Sequence, residues 1–120
     1  MANRSFGKPY ENSTETLSVS NLASGFTYTF TKKGDMYRID CGVDSSNPPA
    51  CPSGNTVICV LPSGAQPKEN VYFPCLYRIL NDNTFYVSYG ALYANRNVSI
   101  YLPSGATIRQ LVLGQTYFSV

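Results

Sequence analysis

Residues Phe26-Thr27-Tyr28-Thr29-Phe30-Thr31 alternate aromatic side chains with threonine at a strict period of two. Lys32-Lys33-Gly34-Asp35 then turns the chain into Met36–Val43, where Tyr37, Ile39, Cys41 and Val43 alternate with Arg38, Asp40 and Gly42. A period of two is the signature of a strand with one face buried and the other solvated, because successive side chains leave opposite sides of the backbone. Two such runs joined by a short Gly-containing turn predict an antiparallel hairpin. No comparable helix-period pattern occurs along the chain, so the hairpin commits the fold to β-structure.

The remaining runs agree. Thr16–Ser20 alternates Leu17 and Val19 with polar residues, and Asn21–Gly25 reads as a turn. A second organising stretch is Thr56–Pro74: an apolar strand ending in Leu61-Pro62, an open Ser63–Asn70 loop, and a strand opening with Val71-Tyr72-Phe73. Thr56–Leu61 is apolar on both faces after its first residue, which predicts a central strand or an interface strand. Pro74 lacks an amide donor and predicts an edge or a bulge. Asn81-Asp82-Asn83 is a turn before Phe85, Val87 and Tyr89, while Ala91, Leu92 and Ala94 are compatible with one helical turn. Strands are expected again at Val98–Leu102 and over Ile108–Val120, the latter broken at Gly114-Gln115. Leu61-Pro62-Ser63-Gly64-Ala65 recurs as Leu102-Pro103-Ser104-Gly105-Ala106, which suggests one turn used twice to leave a sheet. About eight strands in this order predict an all-β fold, an antiparallel β-sandwich or jelly-roll-like domain with a short N-terminal arm. The arm is residues 1–15 and the β-sandwich domain residues 16–120.

At 120 residues the chain supports one hydrophobic core. Charged residues make up 13% of it, with a net charge of +2, against a usual share of roughly 25%. Such a surface suits an extracellular or particle-bound protein, or one that covers itself with its own copies. The N-terminal segment lacks the apolar run of a signal peptide, and no run reaches transmembrane length, so no membrane insertion is expected. Cys41 and Cys51 are a candidate disulfide across the Gly42–Ala50 loop; Cys59 and Cys75, set in apolar strands, are either buried thiols or a second bridge.

The sequence contains no histidine, which removes the commonest catalytic base and metal ligand together. The cysteine spacings lack the close pairs of a zinc site, and no catalytic residue, metal or cofactor is expected. Asp40 is expected to form an ion pair with Arg38 or Arg78. Lysines and arginines do not cluster, which argues against nucleic acid. Ten tyrosines remain to be explained. Tyrosine combines a flat apolar body with a hydroxyl, which suits interfaces and stacking on sugar rings. Tyr86, Tyr89, Tyr93 and Tyr101, with Asn95, Arg96 and Asn97, form the candidate glycan or partner surface. In the polar arm, Phe6, Pro9 and Tyr10 are candidates for docking on a neighbour.

The run Leu61-Pro62-x-Gly64-x-x-Pro67-x-x-x-Val71-Tyr72-Phe73-Pro74 resembles the "LPxGyrPxxxvyFP" segment in C-terminal domains of tail-fibre, baseplate and head-fibre proteins of tailed bacteriophages. The resemblance extends over about Thr16–Val120, with a tyrosine-bearing hairpin before the motif and a terminal aromatic strand after it. Ala65-Gln66 replaces the usual aromatic and basic pair, and Cys59 and Cys75 depart from the pattern. The resemblance implies a homotrimer of β-sandwich domains in a virion, assembled in the host cytoplasm. The N-terminal arm would dock on other virion proteins and the outer loops would meet bacterial surface polysaccharide. A start at Met1 points to a small standalone component. Capsid decoration without receptor binding is one alternative, and a polysaccharide-degrading enzyme built on a carboxylate pair is another.

Overall fold

The alternating run Phe26–Lys33 and its return Met36–Val43 pair along their whole length, with Phe26 opposite Val43, Tyr28 opposite Cys41 and Phe30 opposite Ile39. Gly34 takes a φ of 60° at the first central position of a two-residue connection, the place where a type II′ turn requires a positive value. The structure is a computed structural model that describes residues 13–51, 54–114 and 116–120. Among the described residues there are ten strands and no helix: β1 (Thr14–Leu17), β2 (Ser20–Asn21), β3 (Phe26–Lys33), β4 (Met36–Val43), β5 (Asn55–Val60), β6 (Val71–Ile79), β7 (Tyr86–Leu92), β8 (Asn97–Tyr101), β9 (Ile108–Leu113) and β10 (Thr116–Phe118). They form two antiparallel sheets, a four-stranded one in the order β1-β3-β4-β10 and a six-stranded one in the order β2-β5-β8-β7-β6-β9. The fold is all-β and sandwich-like, as the alternation predicts. Strands outnumber the expected eight because two expected strands each divide between the sheets. Leu17 ends in the four-stranded sheet and Ser20 enters the other; Leu113 and Thr116 make the reverse crossing.

The core lies between the sheets. Phe30, Tyr37 and Phe118 stack on one another with ring centroids 5.4–6.0 Å apart. Ile39 from the four-stranded sheet and Ile58, Leu92, Val98, Ile100 and Ile108 from the six-stranded one are completely or almost completely buried. The Tyr28 hydroxyl donates to the Ile58 carbonyl at 2.7 Å, joining the two sheets by a polar contact in a half-buried position.

Three local expectations change. Thr56–Leu61 is not buried on both faces by its position: β5 has only the two-residue β2 on one side. A register shift between Val57 and Cys59 turns both Ile58 and Cys59 inward, so a β-bulge explains the unbroken apolar run. Pro74 lies within an internal strand, β6, yet it costs no ladder bond. In an antiparallel pair the amide and carbonyl of one residue face the same neighbour; the Pro74 carbonyl accepts from Gly114 N at 3.0 Å, so its ring nitrogen faces the end of β9, beyond Leu113. Gly90–Leu92 is strand and not helix, because it pairs on both sides, with β6 and β8.

The repeated Leu-Pro-Ser-Gly-Ala is one turn used twice. Leu61 and Leu102 are each 1% exposed, Gly64 and Gly105 have φ of 86° and 79°, and Ala65 and Ala106 donate to the carbonyls of Pro62 and Pro103. Because β5 and β8 are antiparallel neighbours, the two copies leave the sheet at opposite ends. The second copy also anchors Cys51, since Cys51 N donates to the Ala106 carbonyl and Gly105 N to the Cys51 carbonyl.

Gly90 is required by packing. A Cβ there would stand 2.3 Å from Cζ of Phe73 and 2.6 Å from the Ser99 carbonyl oxygen. Gly90→Ala is expected to destabilise the fold by about 1–3 kcal/mol through overpacking. Gly64→Ala, which meets nothing within 4 Å, should cost only about 1 kcal/mol, from its left-handed backbone. Urea midpoints of the two variants test the order, and equal costs would contradict the packing argument.

Candidate functional site

The strand register places the outward side chains of the six-stranded sheet in rows. Tyr101 of β8, Tyr89 of β7 and Pro74 of β6 lie side by side, and the next row is Val87, Leu76 and Val112 from β7, β6 and β9. Tyr72 stands one row to the other side, opposite Ala91. Their exposure is unusual for such residues: Val87 is 79% exposed, Tyr72 63%, Tyr89 52%, Tyr101 49% and Val112 44%. Pro74, Leu76, Val87, Val112 and Gly114 line a shallow, almost wholly apolar groove. At the end of this face the Arg78 guanidinium lies 5.5 Å from the Phe85 ring centroid, so even the bordering cation is laid over an aromatic surface. With strands about 4.8 Å apart, the face spans a few hundred Å². Contiguous apolar patches of that size commonly mark interaction sites.

The structure gathers only part of the candidate tyrosine surface. Tyr89 and Tyr101 stack with centroids 5.6 Å apart, and with Tyr93 and Asn55 they surround a small dip above Ala91 and Ser99. Tyr86 leaves the other side of β7, three residues from Tyr89 and so of opposite parity. It stacks on Tyr77 at 5.5 Å and donates its hydroxyl to Asp82 Oδ2 at 2.7 Å. Asn95 and Arg96 build the β7–β8 turn: the Asn95 side chain accepts from Asn97 N, Arg96 takes a φ of 81°, and the Arg96 carbonyl accepts from Leu61 N. Asn97 opens β8, half-buried, and its carbonyl accepts from Tyr93 N. Phe6, Pro9 and Tyr10 lie outside the described residues. The residues missed at the outset are Tyr72, Pro74, Leu76, Val87 and Val112. Their signal was present: in β6 and β7 the residues between the core positions are apolar too.

The titratable groups are held in ordinary structural roles. The Asp82 carboxylate is pulled below its usual range by the Thr84 amide and then by the Tyr86 hydroxyl, and Asp44 likewise by the Ser46 hydroxyl and amide. Asp40 pairs with Arg38 at 3.7 Å, one of the two partners expected for it. The anticipated Cys41–Cys51 bridge is not formed; all four cysteines are free and buried. Burial pushes the Cys59 thiol up to about 12 and Cys75 up to about 11, and raises Cys41 and Cys51 as well. Among the described residues, no group of three or more Cys, Asp or Glu side chains is placed to hold a metal ion.

No protein-family model matches the chain, and a search of the curated proteins finds no match.

Thiols held protonated in the fold and free to ionise in the unfolded chain make stability fall with alkali. The folded values lie above the unfolded value of 9.0, so this contribution is complete below about pH 9 and is lost as pH rises through the folded values. Under reducing conditions the unfolding free energy from guanidinium titrations should fall between about pH 8.5 and 11, by up to about 1.4 kcal/mol per pH unit for each thiol, and the midpoint with it. Cys59→Ala should show a shallower fall. A midpoint flat over that range would contradict the burial of these groups.

Proposed function

We propose that this chain is a structural virion protein of a tailed bacteriophage, a homotrimeric fibre or appendage domain that contributes to host-surface recognition. The observation that carries the self-association half of this reading is the outer face of the six-stranded sheet. Val87, Leu76 and Val112, flanked by Pro74, Tyr89 and Tyr101, offer a flat apolar surface with no charged side chain among them. A second copy of this chain is the fitting occupant. Obligate homo-oligomer interfaces are the more apolar class, and a chain with so few charges has little else to keep such a face solvated.

The phage setting is supported by the resemblance of the Leu61–Pro74 segment, whose residues each have a definite place in the fold. Leu61 and Phe73 enter the core, Pro67 is buried, and Tyr72 and Pro74 stand on the outer face. One motif thus builds the inside of the sandwich and its proposed contact surface together. Docking on other virion proteins falls to the N-terminal arm with Phe6, Pro9 and Tyr10. Recognition of bacterial surface polysaccharide falls to surfaces that assembly leaves open, where repetition over a trimer and a particle multiplies weak contacts.

Light scattering on the purified chain tests the reading directly. The expected mass is three times the 13.2 kDa chain, unchanged at moderate salt because the contact is apolar. The double variant Val87→Lys, Val112→Lys should give monomers with an unaltered far-ultraviolet spectrum, since both side chains leave the core untouched. A monomeric wild-type protein would overturn the assembly.

A further inference from the structure

The outer face of the four-stranded sheet has a different chemistry. In β3 the outward positions are Thr27, Thr29, Thr31 and Lys33; Thr31 pairs with Arg38 and Lys33 with Met36, while Tyr117 of β10 lies on the other side of Arg38. Thr14 of β1 is opposite Lys33. Thr14, Thr31, Lys33, Met36, Arg38 and Tyr117 line a concavity of about 640 Å³, within the roughly 300–1,000 Å³ range of small-molecule sites.

We propose that this concavity binds a carboxylate-bearing sugar, as a unit of an acidic polysaccharide. Charge selects the anion. Lys33 and Arg38 bring two positive charges; among the described residues, Asp40 approaches a single guanidinium nitrogen of Arg38 at 3.7 Å, beyond hydrogen-bond length, and Asp35 of the adjoining turn lines a separate hollow with Lys32 and Tyr37. The planar fork is therefore not engaged in a bidentate pair and can accept a carboxylate from a ligand. Glu15 lies on the opposite face of the sheet, in register with Lys32. The position of the fork is set by Tyr117, whose ring centroid is 6.0 Å from the Arg38 guanidinium carbon.

The remaining walls select the body of the ligand. Tyr117 and Met36, 46% and 48% exposed, are apolar, and the threonine hydroxyls of Thr14 and Thr31 both donate and accept. A small inorganic anion uses only the cations. A sugar acid uses all three elements: the carboxylate on Arg38 and Lys33, the ring face on Tyr117 and Met36, and the hydroxyls on the threonines. This inference deepens the host-surface half of the reading above. It rests on the face opposite the proposed contact surface and shares no residue with it.

The test is a calorimetric titration of the full chain with a defined oligogalacturonate, with a neutral oligoglucan of equal length and inorganic phosphate as comparison arms. Oligogalacturonate should bind, more weakly at about 0.3 M salt than at about 20 mM because the charges are exposed. Arg38→Gln should lower the affinity about tenfold, equivalent to about 1.4 kcal/mol. Lys33→Gln, at a turn-flanking and exposed position, should lower it less, and Arg109→Gln on β9 should leave it unchanged. Each variant is checked by far-ultraviolet spectrum and by mass, so lost binding is separable from lost folding or lost assembly; a monomeric wild type that still binds would sink the trimer and leave this site standing. Equal binding of the neutral oligoglucan, displacement by equimolar phosphate, no binding by the wild type, or an Arg38→Gln variant that binds normally would each overturn the proposal.

Discussion

Burial of one face of each sheet against the other is the constraint on which the rest of this molecule depends, and the two sheets bring unequal widths to it. Six strands meet four. The inward rows hold Phe30, Ile39, Phe73, Leu92 and Ile100, which exclude water from the centre. Among the described residues, the outward Leu76, Val87 and Val112 of β6, β7 and β9 stand exposed, yet they are apolar. A sheet packed on one side normally alternates apolar with polar residues. Here β6 and β7 do not, and that departure is what separates this surface from a merely solvated one.

Two features keep the unequal sheets joined. Among the described residues the chain crosses between the sheets four times, and at Leu17–Ser20 and Leu113–Thr116 the crossing divides a single run, so each sheet receives an edge strand from the other's run. The Tyr28 hydroxyl adds a hydrogen bond from β3 to the bulged backbone of β5 at Ile58. Burial raises the Tyr28 phenol well above its usual value, with the thiols of Cys59 and Cys41 as lesser causes, so it remains a donor in alkali that would ionise an exposed phenol. The bulge itself turns two successive residues inward, and Ile58 and Cys59 fill space that a regular strand would leave to one side chain.

Much of this was legible in the sequence, because local alternation determines which residues of a hairpin share a face. The β3–β4 hairpin, its turn, the Asn81–Asn83 turn and the repeated Leu-Pro-Ser-Gly-Ala exit all follow from residue types within reach of one another. What was not legible depends on partners far away in the chain. Whether Ile58 and Cys59 are both inward depends on the register of β8, some forty residues on; whether Pro74 costs a ladder bond depends on where β9 ends. The tyrosine surface is gathered only in part for a simpler reason: Tyr86 and Tyr89 are near in sequence but of opposite parity on one strand. Counting by twos from Gly90 separates them, and the same count brings Val87, Leu76 and Val112 into view.

Edges explain why association would proceed through a face. Exposed strand edges invite uncontrolled pairing, and proteins blunt them with short strands, charges or cover. Of the four edge strands here, β2 has two residues, β10 three and β1 four. The longest, β9, has its first amide taken by the Pro49 carbonyl and carries the exposed Arg109. With the edges thus short or occupied, the apolar outer rows of the six-stranded sheet are the surface through which the proposed association would proceed. A face contact between rigid sheets also defines geometry: it fixes which side of the sandwich turns inward in an assembly, and it leaves the threonine, lysine and arginine face of the other sheet directed away from the contact and toward solvent.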